Sequence, residues 1–367
     1  MTSIPLLLLV GVAVAAFVGF NIGGSNTGVA FGPAVGSGAV SKIGAGVLMT
    51  VFAFLGGWTV GRRVVTTLGS NLVVGDPFTL PVSIGVLFFI GGALFVSNVF
   101  GVPASTSMTA VGAIVGLGLA RDALATDLVL EIVSWWIVAP LVAFWVSGVV
   151  GRYAYDAIDE RLALGSAEGS MLAVDRSGTV PTPRLDDDTT RREATGVVLV
   201  VGIACFMAFS AGASNVANAV APLVGSGQLS MNAGILLAAG TIGVGALTIA
   251  RRTLDTMGEG LTELPLAAAL VVAVVSASLV TALSAIGIPA SFVVIATMST
   301  VGLGWGRATR AEGELLVEAD DVVEGMTEPD VAVDDLYRPW ATLRVVVLQN
   351  AVPAVATVGA YLLFSVW

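Results

Sequence analysis

The chain has 367 residues, 56% of them hydrophobic and 11% charged, with a mean hydropathy of +0.94 and a formal net charge of −10. A soluble domain of this length carries about a quarter charged residues, so the composition points to a lipid environment. With no histidine and one cysteine, Cys205, it leaves out imidazole proton relays, disulfides and His- or Cys-ligated metal centres.

Uncharged runs predict ten membrane segments at 4–22, 44–61, 81–100, 103–120, 128–151, 195–213, 231–250, 264–287, 289–306 and 341–365. About 20 apolar residues cross a hydrocarbon core, and helices satisfy their own backbone there. Met1 to Pro5 has no basic stretch, so the first run reads as a retained helix rather than a cleaved signal. Directly after it, Gly23, Gly24, Gly28 and Gly32 precede Pro33. Glycine permits φ > 0 and proline removes a donor, so a break in the helix is expected there. Ser25 and Asn26 would offer neutral hydrogen-bonding groups to an anion at the break.

Pro103 opens another run, followed by Ser105, Thr106, Ser107 and Thr109, hydroxyls that can cap a helix or hold an oxyanion with its amides. Glu131 lies early in the fifth segment and reads as a snorkelling side chain, as does Arg344 in the tenth. Gln349 and Asn350 sit deeper in the tenth and are candidates to line a pathway. The tryptophans at 135, 136, 145, 340 and 367 read as interfacial belts.

The chain repeats itself. Residues 23–38 (GGSNTGVAFGPAVGSG) match residues 212–227 (GASNVANAVAPLVGSG) at nine of sixteen positions, which sets Ser214 and Asn215 against Ser25 and Asn26 and adds Asn218. Residues 103–118 match 289–304 at eight of sixteen, pairing Ser105 with Ser291, while Thr106 and Ser107 become Phe292 and Val293. Arg62-Arg63 recur as Arg251-Arg252. Five segments per half is an odd number, so the halves are inverted and a substrate site is expected between them near the midplane. The organisation is therefore a first repeat at 1–152, an acidic linker at 153–194 and a second repeat at 195–367 with an acidic loop at 307–339. The expected fold is an all-α polytopic membrane protein of two inverted repeats with broken or re-entrant helices. With the N-terminus outside, 13 of the 16 basic residues face the cytoplasm and Arg62, Arg63 and Arg121 remain outside. Both termini are thus expected outside and the acidic loops in the cytoplasm.

These paired motifs resemble the inorganic phosphate transporter (PiT) family, which carries a GANDVANA-type motif in each half, an FGTAVGSG-like run and a P-x-S-T-T-H element. FGPAVGSG at 31–38, GASNVANAVAP at 212–222 and PASTSM at 103–108 carry the resemblance. It implies secondary transport of phosphate driven by Na+ or H+. The chain departs from the family in having Ser-Asn where the family has Asn-Asp, Val29 for the later Asn, and Met108 for His. A carboxylate accepts the O–H of protonated phosphate, whereas sulfate has none to give. Losing the carboxylate twice makes a sulfate permease the alternative, and an uncoupled anion channel the second.

The expected substrate-binding residues are Ser25, Asn26, Ser105, Thr106, Ser214, Asn215 and Ser291. Coupling-ion candidates are Asn26, Asn215, Asn218, Gln349 and Asn350, with Na+ as a possible coupling ion and no other cofactor. No metal, protease or other enzymatic constellation is visible. The partners are an inorganic oxyanion and the cell-membrane bilayer. Nothing points to nucleic acid, and a homo-oligomer is left open.

Overall fold

The computed structural model describes residues 6–99, 105–162, 172–175, 182–185, 191–250, 254, 265–318 and 339–367. In chain order the helices are α1 (Leu6–Gly36), α2 (Lys42–Thr59), α3 (Gly61–Thr66) with a π-helical turn at Thr67–Asn71, α4 (Leu80–Val99), α5 (Thr106–Ala120), α6 (Thr126–Tyr153) and α7 (Tyr155–Leu162). After the linker come α8 (Arg191–Gly225), α9 (Met231–Leu247), α10 (Leu266–Ala285), α11 (Phe292–Glu318) and α12 (Pro339–Ser365). The linker contributes the only strands among the described residues, a short antiparallel hairpin pairing Leu172 with Leu185 and Asp175 with Thr182. Among the described residues, six helices, α1, α2, α4, α6, α8 and α10, are long and apolar enough to cross a membrane. Their outward faces carry Phe88, Leu130, Trp145 and Val198, all well exposed, as a lipid-facing surface requires.

The halves are inverted. Gly11 near the start of α1 packs against Leu223 near the end of α8, whereas its repeat equivalent is Val200 near the start of α8. The repeats also interlock, since α1 packs on α9, α2 on α8, α5 on α12 and α6 on α11. Glycines set these approaches. A Cβ on Gly23 would collide with the Ile242 carbonyl, one on Gly245 with that of Phe20, and one on Gly212 with that of Ala53.

This packing corrects one expectation. The helix does not break at the Gly/Pro motif: α1 runs unbroken through Ser25 and Asn26 to Gly36, and α8 through Ser214 and Asn215 to Gly225. Pro33 and Pro222 each lie three residues from their helix end, where a missing N–H costs one hydrogen bond. The glycines serve helix–helix contact, as small residues do between membrane helices.

The discontinuities fall elsewhere. Segments 81–100 and 103–120 form a single hairpin, α4–α5, whose outer ends are tied by Val74 N–H to Ala123 O (2.8 Å) and Ala125 N–H to Leu72 O (3.1 Å). Its inner end meets α1 at Asn21, which accepts from Asn98 Nδ2 at 3.0 Å. Asn21 is the midpoint of α1, so the end of α4 lies level with the middle of α1, with some 22 Å of α1 still ahead at 1.5 Å per residue. The second hairpin, α10–α11, enters from the opposite side. Its outgoing helix continues to Glu318, so the first acidic residues of the expected loop at 307–339 are helical. There Arg310 pairs with Asp156, and the Arg307 guanidinium lies over Tyr155, 4.2 Å from the ring centre.

Candidate functional site

The two hairpin tips converge on the middle of α8. Spacing of four residues puts Ser210, Ser214 and Asn218 on one face of this helix with Asn215 beside them, and all four are buried. From the first tip, Ser105 caps α5 by accepting from Met108 N–H at 3.2 Å, which aims the hydroxyls of Thr106 and Ser107 at α8. Thr106 Oγ1 donates to Asn215 Oδ1. Asn218 Nδ2 donates to the same oxygen at 3.0 Å and lies 3.4 Å from Ser107 Oγ. From the second tip, Ser291 caps α11 through Val294 N–H (3.4 Å), and Ala290 O accepts from Ser214 Oγ at 3.0 Å.

The hydroxyl protons can be followed. Ser214 commits its proton to Ala290 O, so in its 3.1 Å contact with Ser107 it accepts. Ser107 in turn accepts from Asn218. One directed chain therefore runs from Asn218 through Ser107 and Ser214 to Ala290, joining both hairpins through α8. The sequence had shown Ser107 only as one of four hydroxyls; its central place comes from the fold.

Two other features favour an anion here. The N-termini of α5 and α11 both end at the cluster, and the caps engage the N–H of Met108 and Val294, leaving the earlier N–H groups of each helix toward the site. Among the described residues that form the cluster, every side chain is neutral, so no fixed carboxylate repels an oxyanion.

The remaining expected site residues divide. Asn26 is half-buried, and its Nδ2 atom is enclosed without a partner. In the repeat the positions matching Thr106 and Ser107 are Phe292 and Val293, so the second tip lacks the hydroxyl that donates to Asn215 Oδ1 in the first. Ser25 donates to Ile22 O within its own helix (3.2 Å) and does not join the α8 cluster. Asn350 is exposed, the Gln349 side chain and Arg344 lie outside the described residues, and Glu131 is exposed near the start of α6. Trp136 Nε1–H donates to Pro289 O at 2.8 Å and so holds the second tip. Pro103 lies outside the described residues.

Residues 22–324 match the family model described as the phosphate transporter family. The chain belongs to this family. It is 32% identical over 304 residues to the sulfate permease CysP of Bacillus subtilis, covering 82% of this chain and 77% of that protein. A putative phosphate permease of Chlamydia trachomatis is 28% identical, with 83% of this chain and 91% of the relative aligned. Among solved structures, one titled the sodium-dependent phosphate transporter superposes with a TM-score of 0.69 at 18% identity and covers 98% of both chains.

Proposed function

We propose that the chain is a secondary transporter of a small tetrahedral inorganic oxyanion, phosphate first, working by alternating access of its inverted repeats and coupled to Na+ or H+. The observation that carries this reading is the meeting of two inverted hairpin tips, with their helix N-termini and neutral donors, at mid-depth of α8. Phosphate is favoured by membership of the family and by one atom: Asn218 Oδ1 is a buried acceptor without a partner. Protonated phosphate has an O–H to give it; sulfate has only acceptors.

Sulfate is the second reading. It is favoured by the absence of any carboxylate in the cluster and by the similarity to a sulfate permease. We further propose Asn26, Asn215, Asn218, Ser105, Thr106, Ser214 and Ser291 as the substrate shell, with Ser107 added. The termini are proposed to face outside. The count behind this orientation is 13 basic residues against Arg62, Arg63 and Arg121.

The test is uptake of radiolabelled phosphate and sulfate into proteoliposomes, with Na+ and H+ gradients imposed separately. Accumulation against a gradient is expected, and the Asn26→Ala plus Asn215→Ala double variant should abolish it. Unchanged uptake by that variant refutes the site. Passage without accumulation or saturation points instead to a channel.

A further inference from the structure

Arg62 and Arg63 have no part in the cluster above, and their sequence position after an apolar run marks them as loop charges. The structure seats them in α3, packed against α8. Gly61, just before them, lies so close to α8 that a Cβ there would stand 3.0 Å from Ala213 O, and Ala213 adjoins Ser214. Arg63 Nη1 donates to the carbonyl of Ala285, the last residue of α10. Two residues on, Gly287 at φ +85° faces Thr67 Oγ1 and the backbone of Arg63, where a Cβ would come within 2.9 Å of that hydroxyl. The pair therefore stands between the binding helix and the second hairpin, next to a π-helical turn, an irregularity frequent at functional sites.

Their partners are all neutral. Arg62 donates through Nε to Trp58 O (2.8 Å) and through Nη2 to Asn232 Oδ1 (2.7 Å), and it lies over the Trp58 ring. Arg63 has Ala285 O. Among the described residues neither guanidinium meets a carboxylate, so both charges stand uncompensated in a chain whose net charge is −10. A guanidinium has five N–H donors, so most of Arg63's remain for a ligand. Arg63 is exposed and Arg62 partly so. An exposed guanidinium is costly against hydrocarbon, so in a membrane protein such side chains are expected to face water.

We propose that Arg62 and Arg63 form an oxyanion-capture site at the aqueous mouth of the pathway, taking phosphate or sulfate from water before it reaches the Ser/Asn cluster. Planar, forked donors suit a tetrahedral oxyanion, and neutral partners orient them without spending their charge. The inference rests on the transport reading but concerns a different step, entry rather than the central site. The same pair recurs in the sequence as Arg251-Arg252, outside the described residues.

The experiment measures uptake KM and Vmax for phosphate and sulfate across a range of ionic strength, in wild type, Arg62→Gln, Arg63→Gln, Arg63→Lys and the double Gln variant. Removing one positive charge roughly 10 Å from a dianion's entry path should raise KM about fivefold to tenfold at low salt, with Vmax within about twofold. Arg63→Lys should keep most of the wild-type KM, and the double variant should lose most of its salt dependence. A double variant with wild-type KM and salt slope overturns the proposal. So does a fall in Vmax alone, which would make Arg63 only a fastener of the second hairpin. If the double variant does not fold, Arg62→Gln, which removes one charge, is compared with Arg63→Lys, which removes none: a raised KM at low salt in the first alone supports the capture site, and equal KM in both overturns it. A wild type that moves neither anion sinks the transport reading; one that moves an anion regardless of these substitutions sinks only the capture site.

Discussion

Asn26 and Asn215 occupy matching places in the repeats, yet the structure assigns them opposite consequences on replacement by leucine, a near-isostere. Asn215 Oδ1 is the shared acceptor of Thr106 Oγ1 and Asn218 Nδ2, both buried. Asn215→Leu orphans Thr106 Oγ1 and leaves Asn218 Nδ2 only its contact with Ser107, and a buried orphan costs about 1–3 kcal/mol, so the fold should lose at least about that much. Asn26 Nδ2 already lacks a partner. Asn26→Leu breaks no protein hydrogen bond to that nitrogen and should leave stability unchanged or raise it by about 1 kcal/mol. Transport tells the other half. If the free Nδ2 of Asn26 serves the oxyanion, its loss removes a hydrogen bond to a charged group worth about 1.5–3 kcal/mol, roughly 10- to 150-fold in KM. Thermal unfolding of the detergent-solubilised protein, followed by tryptophan fluorescence, reads the first quantity, and proteoliposome uptake the second. A destabilised Asn26→Leu, or one with wild-type KM for both anions, would refute the reasoning.

Other outcomes follow from single contacts. Gly212→Ala drives a methyl into the Ala53 carbonyl, a backbone atom that cannot swing away, and should cost about 1–3 kcal/mol or more. Gly202→Ala, on the same helix with nothing within 4 Å, should be neutral or stabilise by up to about 1 kcal/mol, as the same unfolding assay would show. Because the described cluster holds no titratable side chain, sulfate uptake without a proton gradient should be flat between about pH 6 and about pH 8. Phosphate uptake should follow only the balance of its own protonation states, and a titration in sulfate uptake would reveal an ionisable group at the site. Trp136→Phe removes the bond to Pro289 O and should cost about 1 kcal/mol in the unfolding assay.

Much of this molecule can be read without coordinates, and the unreadable part has definite causes. Nine identities in sixteen between the Ser-Asn motifs reveal the repeat and the family, and Phe292 and Val293 opposite Thr106 and Ser107 already announce an unequal site. The break expected at Gly23–Pro33 failed because a glycine's purpose is not written in its own segment: the atom Gly23 makes room for, Ile242 O, belongs to a helix more than 200 residues away. Hydropathy cannot separate a crossing from a half-depth hairpin either. α4 has the 20 residues of a span, and only the tie between Asn98 and Asn21 shows where it stops. Arg62 and Arg63 were counted as loop charges for the same reason, since depth is a property of packing.

The distribution of donors indicates which groups an arriving anion meets first. In the structure the first tip uses its hydroxyls inside the protein: Thr106 donates to Asn215, and Ser107 passes its proton to Ser214, which passes its own to Ala290. An oxyanion drawing on those hydroxyls must break bonds already made, so their net contribution is small. Asn26 Nδ2 and the leading N–H groups of α5 and α11 carry no such cost, and an enclosed, unpaired donor gains the full strength of a new bond. Asn26 therefore supplies the stronger increment of binding, while the Thr106 and Ser107 network supplies the rigid frame that holds both tips on α8. On this argument Thr106→Val should raise KM less than Asn26→Leu does, although Thr106 sits in the denser hydrogen-bond network. The reverse order in uptake KM would mean that the network opens to receive the anion.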